Sequence, residues 1–134
     1  MTRLGWKSGA LLLLAAGCAS RTVPLASNET APAARGELQL KPRDSGNMEL
    51  RIEVSHLAPA ERVQRGAAQY VVWVDPVAGS GPPQNVGALA LGDDLEASLK
   101  TLTPLEKFDL FITPEPSGRT EGPTGPRVLQ AAVR

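Results

Sequence analysis

The sequence predicts an all-β protein, an antiparallel sandwich or barrel of about seven short strands. Two observations carry this expectation. From Glu37 onward, apolar residues recur at a period of two, as on strands with one face turned inward. Turn-formers also punctuate the chain at strand-length intervals: Asp44-Ser45-Gly46-Asn47, Asp75-Pro76, Gly79-Ser80-Gly81-Pro82-Pro83, Thr103-Pro104 and Ser117-Gly118. Short strands broken by Gly and Pro characterise sandwiches and barrels.

Glu37–Leu40 supplies a first strand. Met48, Leu50, Ile52 and Val54 then alternate with Glu49, Arg51, Glu53 and Ser55, the pattern of a half-buried second strand. Ala58–Arg65 is the best helix candidate: Pro59 suits a first turn and Gly66 a stop, although the segment is short enough to be only a turn. Tyr70–Val74 (YVVWV) is apolar throughout and rich in β-branched and aromatic residues, as in a central strand covered on both faces. Tyr70 then shares a face with Val72 and Val74, and Trp73 with Val71. Val86–Leu91 is a further apolar run closed by Gly92-Asp93-Asp94. Leu95, Ala97 and Leu99 alternate with Glu96, Ser98 and Lys100, with a helix over Leu95–Leu102 capped by Asp94 as the alternative. Phe108, Leu110 and Ile112 alternate with Asp109, Phe111 and Thr113, and Val128–Val133 supplies the last strand.

The start of the chain has a different character. Arg3 and Lys7 precede an apolar run from Gly9 to Ala16, too short for the roughly 20 residues of a membrane span but suited to a secretory signal. Leu14-Ala15-Ala16-Gly17-Cys18 resembles the lipobox of bacterial lipoproteins, in which the cysteine is lipidated and becomes N-terminal. The resemblance implies a signal peptide over 1–17, removed on maturation, and a lipid (palmitate among its acyl chains) on Cys18, the only cysteine. Residues 18–36, rich in Ala, Ser, Thr and Pro, are expected as a disordered tether spanning roughly 25 Å r.m.s.. Residues 37–134 are expected as the folded domain. Ala19, rather than Asp, after the cysteine points to the outer membrane, facing the periplasm.

Charge and chemistry narrow the function by what they lack. The chain carries 14 basic and 14 acidic residues; Arg3 and Lys7 leave with the signal, so 12 stand against 14. That is no footprint for nucleic acid, which calls for a clustered basic face. His56 is the only histidine and Asp93-Asp94 a lone acidic pair, so neither a metal site nor a cofactor is expected. No Ser stands in a G-x-S-x-G setting, and nucleophilic catalysis needs a base beside the nucleophile, so an enzyme is not expected.

Glu115-Pro116-Ser117-Gly118-Arg119-Thr120-Glu121-Gly122-Pro123-Thr124-Gly125-Pro126, followed by Val128-Leu129, resembles the end of the extracytoplasmic domain of anti-sigma-K-type factors. Their pattern runs roughly E-P-x-G-G-S-x-x-P-T-G-P and then an apolar strand. Tyr70 and Trp73, Gly87, and Phe108-Asp109 match further features of that domain in order, so the resemblance covers about Glu37 to Val133. It implies a β-sandwich in an extracytoplasmic setting. The sigma-gripping segment and transmembrane helix of that family do not carry over, because a lipoprotein-type start stands in their place. Arg119 stands where the family has its second Gly.

The expectation that unites these readings is an immunoglobulin-like antiparallel β-sandwich on a lipid anchor, a non-catalytic envelope lipoprotein acting by binding or structural contact with an envelope protein. The alternative is a signalling component contacting an anti-sigma-type membrane regulator. The candidate contact loop is Glu115–Pro126, with Ser117, Arg119 and Glu121 at its tip.

Overall fold

A computed structural model describes residues 20–77 and 81–134. Eight strands form: β1 (Arg21–Ser27), β2 (Arg35–Pro42), β3 (Met48–Ser55), β4 (Gln69–Pro76), β5 (Gln84–Leu89), β6 (Ala97–Thr103), β7 (Phe108–Glu115) and β8 (Leu129–Val133). Among the described residues the one α-helix, α1, is the single turn Ala60–Val63, so the helical expectation at Ala58–Arg65 shrinks to a turn. The helical alternative at Leu95–Leu102 is overturned: the alternation there is that of β6, whose rungs pair with β3.

All pairings are antiparallel, in the order β5-β4-β7-β8-β1-β2-β3-β6. The sheet curls until its two edges, β5 and β6, lie side by side with Leu99 against Gly87, but no ladder joins them. The result is nearly a barrel, open along one seam. Its interior is filled by the inward set of each strand, among them Leu38, Leu50, Ile52, Val72, Leu110 and Ile112, all fully buried.

The expected boundary at Glu37 needs correction. The segment read as tether contains β1, which pairs with β2 through residues 21–25 and with β8 through Ala26 and Ser27. It is the stave that joins the two halves of the sheet. Its sequence, RTVPLAS, hides this, because it turns only Val23 and Leu25 inward and carries a proline. Pro24 sits where β8 does not yet flank the strand, the edge-like setting in which a missing N–H is tolerated.

The strand directions divide the molecule into two ends. The start of β1, the end of β8 and the links 43–47 and 104–107 lie at one, the terminus end. The links 28–34, 56–68, 90–96 and 116–128 lie at the other, the loop end, whereas the end of β4 and the start of β5 lie at the terminus end. At the loop end Tyr70 fastens the link after β3, its hydroxyl donating to the Ala58 carbonyl at 2.5 Å. Burial pushes the Tyr70 phenol up to about 12, since the ionised form would be stranded in the core.

Candidate functional site

β4 is apolar on both faces because both faces are covered. Tyr70, Val72 and Val74 point into the barrel, while Val71 and Trp73 join Phe111 of β7 in a second, smaller cluster on the outside, each at most 1% exposed. The register explains the grouping: Trp73 lies opposite Phe111, Val71 opposite Thr113 and Gln69 opposite Glu115. An aromatic patch on the outer face of a sheet needs a cover, and the link 116–128 supplies it.

Two fasteners hold that cover down. The first is Glu115, the last residue of β7, which is fully buried. Its carboxylate accepts from the Thr113 hydroxyl at 2.5 Å, the Thr124 amide at 2.9 Å, the Thr124 hydroxyl, and the Gly125 amide at 3.2 Å. Thr113 in turn accepts from the Trp73 indole N–H at 2.8 Å, so one chain of hydrogen bonds runs from the outer cluster to the loop. Burial pushes the Glu115 carboxyl upward; the hydrogen bonds from Thr113, Thr124 and Gly125 outweigh it, so the group sits below its ordinary value.

The second fastener is Asn85 on β5. Between Val72 and Trp73 the β4–β5 register shifts, leaving Val86 as an extra residue. Gly87 takes the φ of +146° that this bulge needs, and a Cβ there would meet Leu99 at 2.9 Å. Asn85 accepts from the Gly87 amide at 2.9 Å and donates to the carbonyls of Gly118 (2.9 Å) and Thr120 (3.0 Å). The bulge therefore aims an amide side chain at the loop. At the far side the Arg127 guanidinium lies 3.8 Å from the centre of the Phe111 ring.

The candidate residues Ser117, Arg119 and Glu121 are all exposed at the loop's tip. Ser117 organises it, accepting from the Arg119 amide at 3.1 Å through its hydroxyl and from the Thr120 hydroxyl at 2.8 Å through its carbonyl. The loop thus lies along the outer face of the sheet, where the sequence left open only contact or packing across the open end. Cys18 lies outside the described residues. His56 is exposed, with Nδ1 3.3 Å from the Ser55 hydroxyl, and Asp94 accepts from the Glu96 amide at 3.1 Å within a turn. Among the described residues, no group of three or more His, Cys, Asp or Glu could hold a metal ion. An open groove of about 1000 Å³ runs across the loop end of β1, β2, β3 and β6 and is lined in part by Arg35, Glu37, Glu53 and Glu96.

Sequence reasoning missed Glu115, Asn85, Thr113 and Thr124 as a connected set. One signal was present: Phe111 stands among Asp109 and Thr113 on the side of β7 expected to be polar, which marks an outer face that something must cover.

The fold and this covered face define an eight-stranded, antiparallel, all-β protein with a fastened outer loop. No protein-family model matches the chain, and no curated protein does. Among solved structures, that of the clock protein EA4 is similar, with a TM-score of 0.57 over 91% of this chain and 98% of that one, at 9% identity. At that identity the likeness concerns the fold alone.

Proposed function

We propose that the chain is a non-catalytic lipoprotein of the bacterial cell envelope, anchored through a lipid on Cys18, whose barrel-like domain works by binding or structural contact with another envelope protein. The observation that carries the binding part is the fastened loop. Asn85 bonds the loop at Gly118 and Thr120 and Glu115 bonds it at Thr124 and Gly125, while the Ser117, Arg119 and Glu121 side chains stand exposed. A tip ordered in advance loses little freedom on meeting a partner. An immunoglobulin-like sandwich is the finer description we adopt for the fold; what supports it is one interior shared by the two halves of the sheet that β1 joins.

The signalling alternative, contact with an anti-sigma-type membrane regulator, draws its support from the E-P…P-T-G-P resemblance. In this chain the E, T and G fall on Glu115, Thr124 and Gly125, and the carboxylate of the first accepts from the amides of the other two. The resemblance therefore speaks for a shared way of fastening the loop more than for a shared partner, and favours the first reading.

Two measurements test the proposal. A fatty-acid analogue should label wild-type cells and leave Cys18→Ser unlabelled; label that survives the substitution refutes the anchor. Arg119→Ala with Glu121→Ala should lower partner capture from the native envelope without moving the denaturation midpoint. Unchanged capture refutes the role of the tip.

A further inference from the structure

We infer that a lipid on Cys18 seats the barrel end-on against the bilayer, with the terminus end at the headgroups and the links 28–34, 56–68, 90–96 and 116–128 facing away. The inference rests on the lipoprotein reading above and adds a surface, an orientation and a partner, the lipid bilayer itself. It follows from where β1 begins. An 18-residue tether would let the domain roam at about 25 Å and in any orientation. β1 instead begins at Arg21, so only Ala19 and Ser20 separate a lipid-bearing Cys18 from a strand locked into the sheet. Three residue steps span at most about 11 Å whatever path they take.

Arg21 is paired with Leu40 in the ladder and its guanidinium lies 3.5 Å from the Arg134 carbonyl, so this corner is fixed to the body of the fold. Around it the terminus end exposes Lys41, Arg43, Lys107 and Arg134 beside Pro104 and Leu102, a mixture of cations and apolar side chains suited to a headgroup layer. Two of those cations already have partners: Arg43 pairs with Glu49 and Arg134 with Asp109, each at 3.0 Å. Asp44 and Glu106 stand at the same end. Charge attraction is therefore not what seats the domain, and neutral lipid serves as well as anionic lipid. The short covalent leash does it. The loop end, with Ser117, Arg119, Glu121 and the groove beside Glu53, then lies about 25 Å further out, the rise of an eight-residue strand.

The test uses the full lipidated protein in phosphatidylcholine vesicles carrying a headgroup-nitroxide lipid. With Cys18 acylated, an introduced cysteine is the only free thiol to label. Labels at Asp44→Cys or Glu106→Cys should be quenched roughly fivefold more than labels at Glu61→Cys or Asp93→Cys, given that separation of the ends. Two positions at each end guard against one variant misfolding. Inserting about 20 Gly-Ser residues after Ser20 lengthens the leash to roughly 25 Å and should abolish the contrast. Equal quenching at all four positions, with fatty acid still on Cys18, overturns the seating and leaves the anchor standing. A contrast that survives the insertion overturns the leash as its cause. Failure of Cys18 to take up fatty acid overturns the lipoprotein reading, and the seating with it.

Discussion

Removing the charge of Glu115 tests whether the outer loop is held as described. The carboxylate takes four hydrogen bonds, and each bond to a charged group contributes about 1.5–3 kcal/mol net. The full sum does not apply, because Thr124 is exposed and its donors can turn to water once the loop lifts. The Thr113 hydroxyl cannot, being buried and already accepting from Trp73. Glu115→Ala strands that hydroxyl and frees the loop, and should cost about 3–4 kcal/mol. Glu115→Gln keeps a carbonyl for Thr113, Thr124 and Gly125 and turns its NH2 toward the Thr124 hydroxyl, which can rotate to accept; it should cost about 1–2 kcal/mol. The sign of the pH effect is fixed by the lowered pKa. Folded Glu115 binds fewer protons than unfolded Glu115, so its contribution is present above the ordinary value of 4.5 and is lost as pH falls through that value toward the folded one. Urea denaturation followed by tryptophan emission reads this directly, because protein without residues 1–17 has Trp73 as its sole tryptophan. Glu115→Gln should flatten the acid side of the stability curve. An acid limb parallel to wild type, or Glu115→Ala within about 0.5 kcal/mol of it, would refute the fastening argument.

Trp73→Ala empties an aromatic site in a cluster of three and should cost about 3–5 kcal/mol; a midpoint near wild type in chemical denaturation would mean that the ring is not enclosed. Tyr70→Phe leaves the Ala58 carbonyl without its donor and should cost about 1–2 kcal/mol near neutral pH. Since the Tyr70 pKa is raised to about 12, wild type should lose stability above the ordinary value of 10.0, and the Phe variant should lack that alkaline fall. Gly125→Ala would place a Cβ 2.2 Å from the Pro114 carbonyl oxygen, so the loop must detach; Trp73 emission should shift to the red, and an unshifted spectrum would count against the close approach.

What the sequence revealed and what it hid have a common physical basis. The β3, β4 and β7 strands were legible because each places four or so residues of one kind on a face, and Tyr70 and Trp73 were correctly assigned to opposite faces. β1 was not legible, since two inward residues and a proline do not make a periodic signal. Its strand character comes from neighbours on both sides, β2 next in the chain and β8 about a hundred residues away. The barrel-like closure has the same origin: it depends on Gly87 meeting Leu99 across a seam. At the candidate site the tip residues could be named from composition, but the fasteners could not. Glu115 and Thr124 are nine positions apart, Asn85 and Gly118 thirty-three, and only the β4–β7 and β4–β5 registers bring them together.

The two cores divide the labour of the fold. The interior cluster closes the barrel and draws on every strand, so its loss is loss of the domain. The outer cluster is three residues under one loop, and its polar fasteners, Glu115 and Asn85, belong to strands that the interior already holds in place. Disturbing the fasteners should therefore release the loop before the barrel opens, because local opening draws on few contacts while global unfolding draws on all. Amide exchange separates the two steps. In Glu115→Gln the Thr124 and Gly125 amides should accelerate well beyond the Val72 and Ile112 amides, whose protection falls only by the global cost of the substitution. Equal acceleration at all four would show that loop and barrel unfold as one unit, and that the loop is a structural part of the core instead of a surface carried on it.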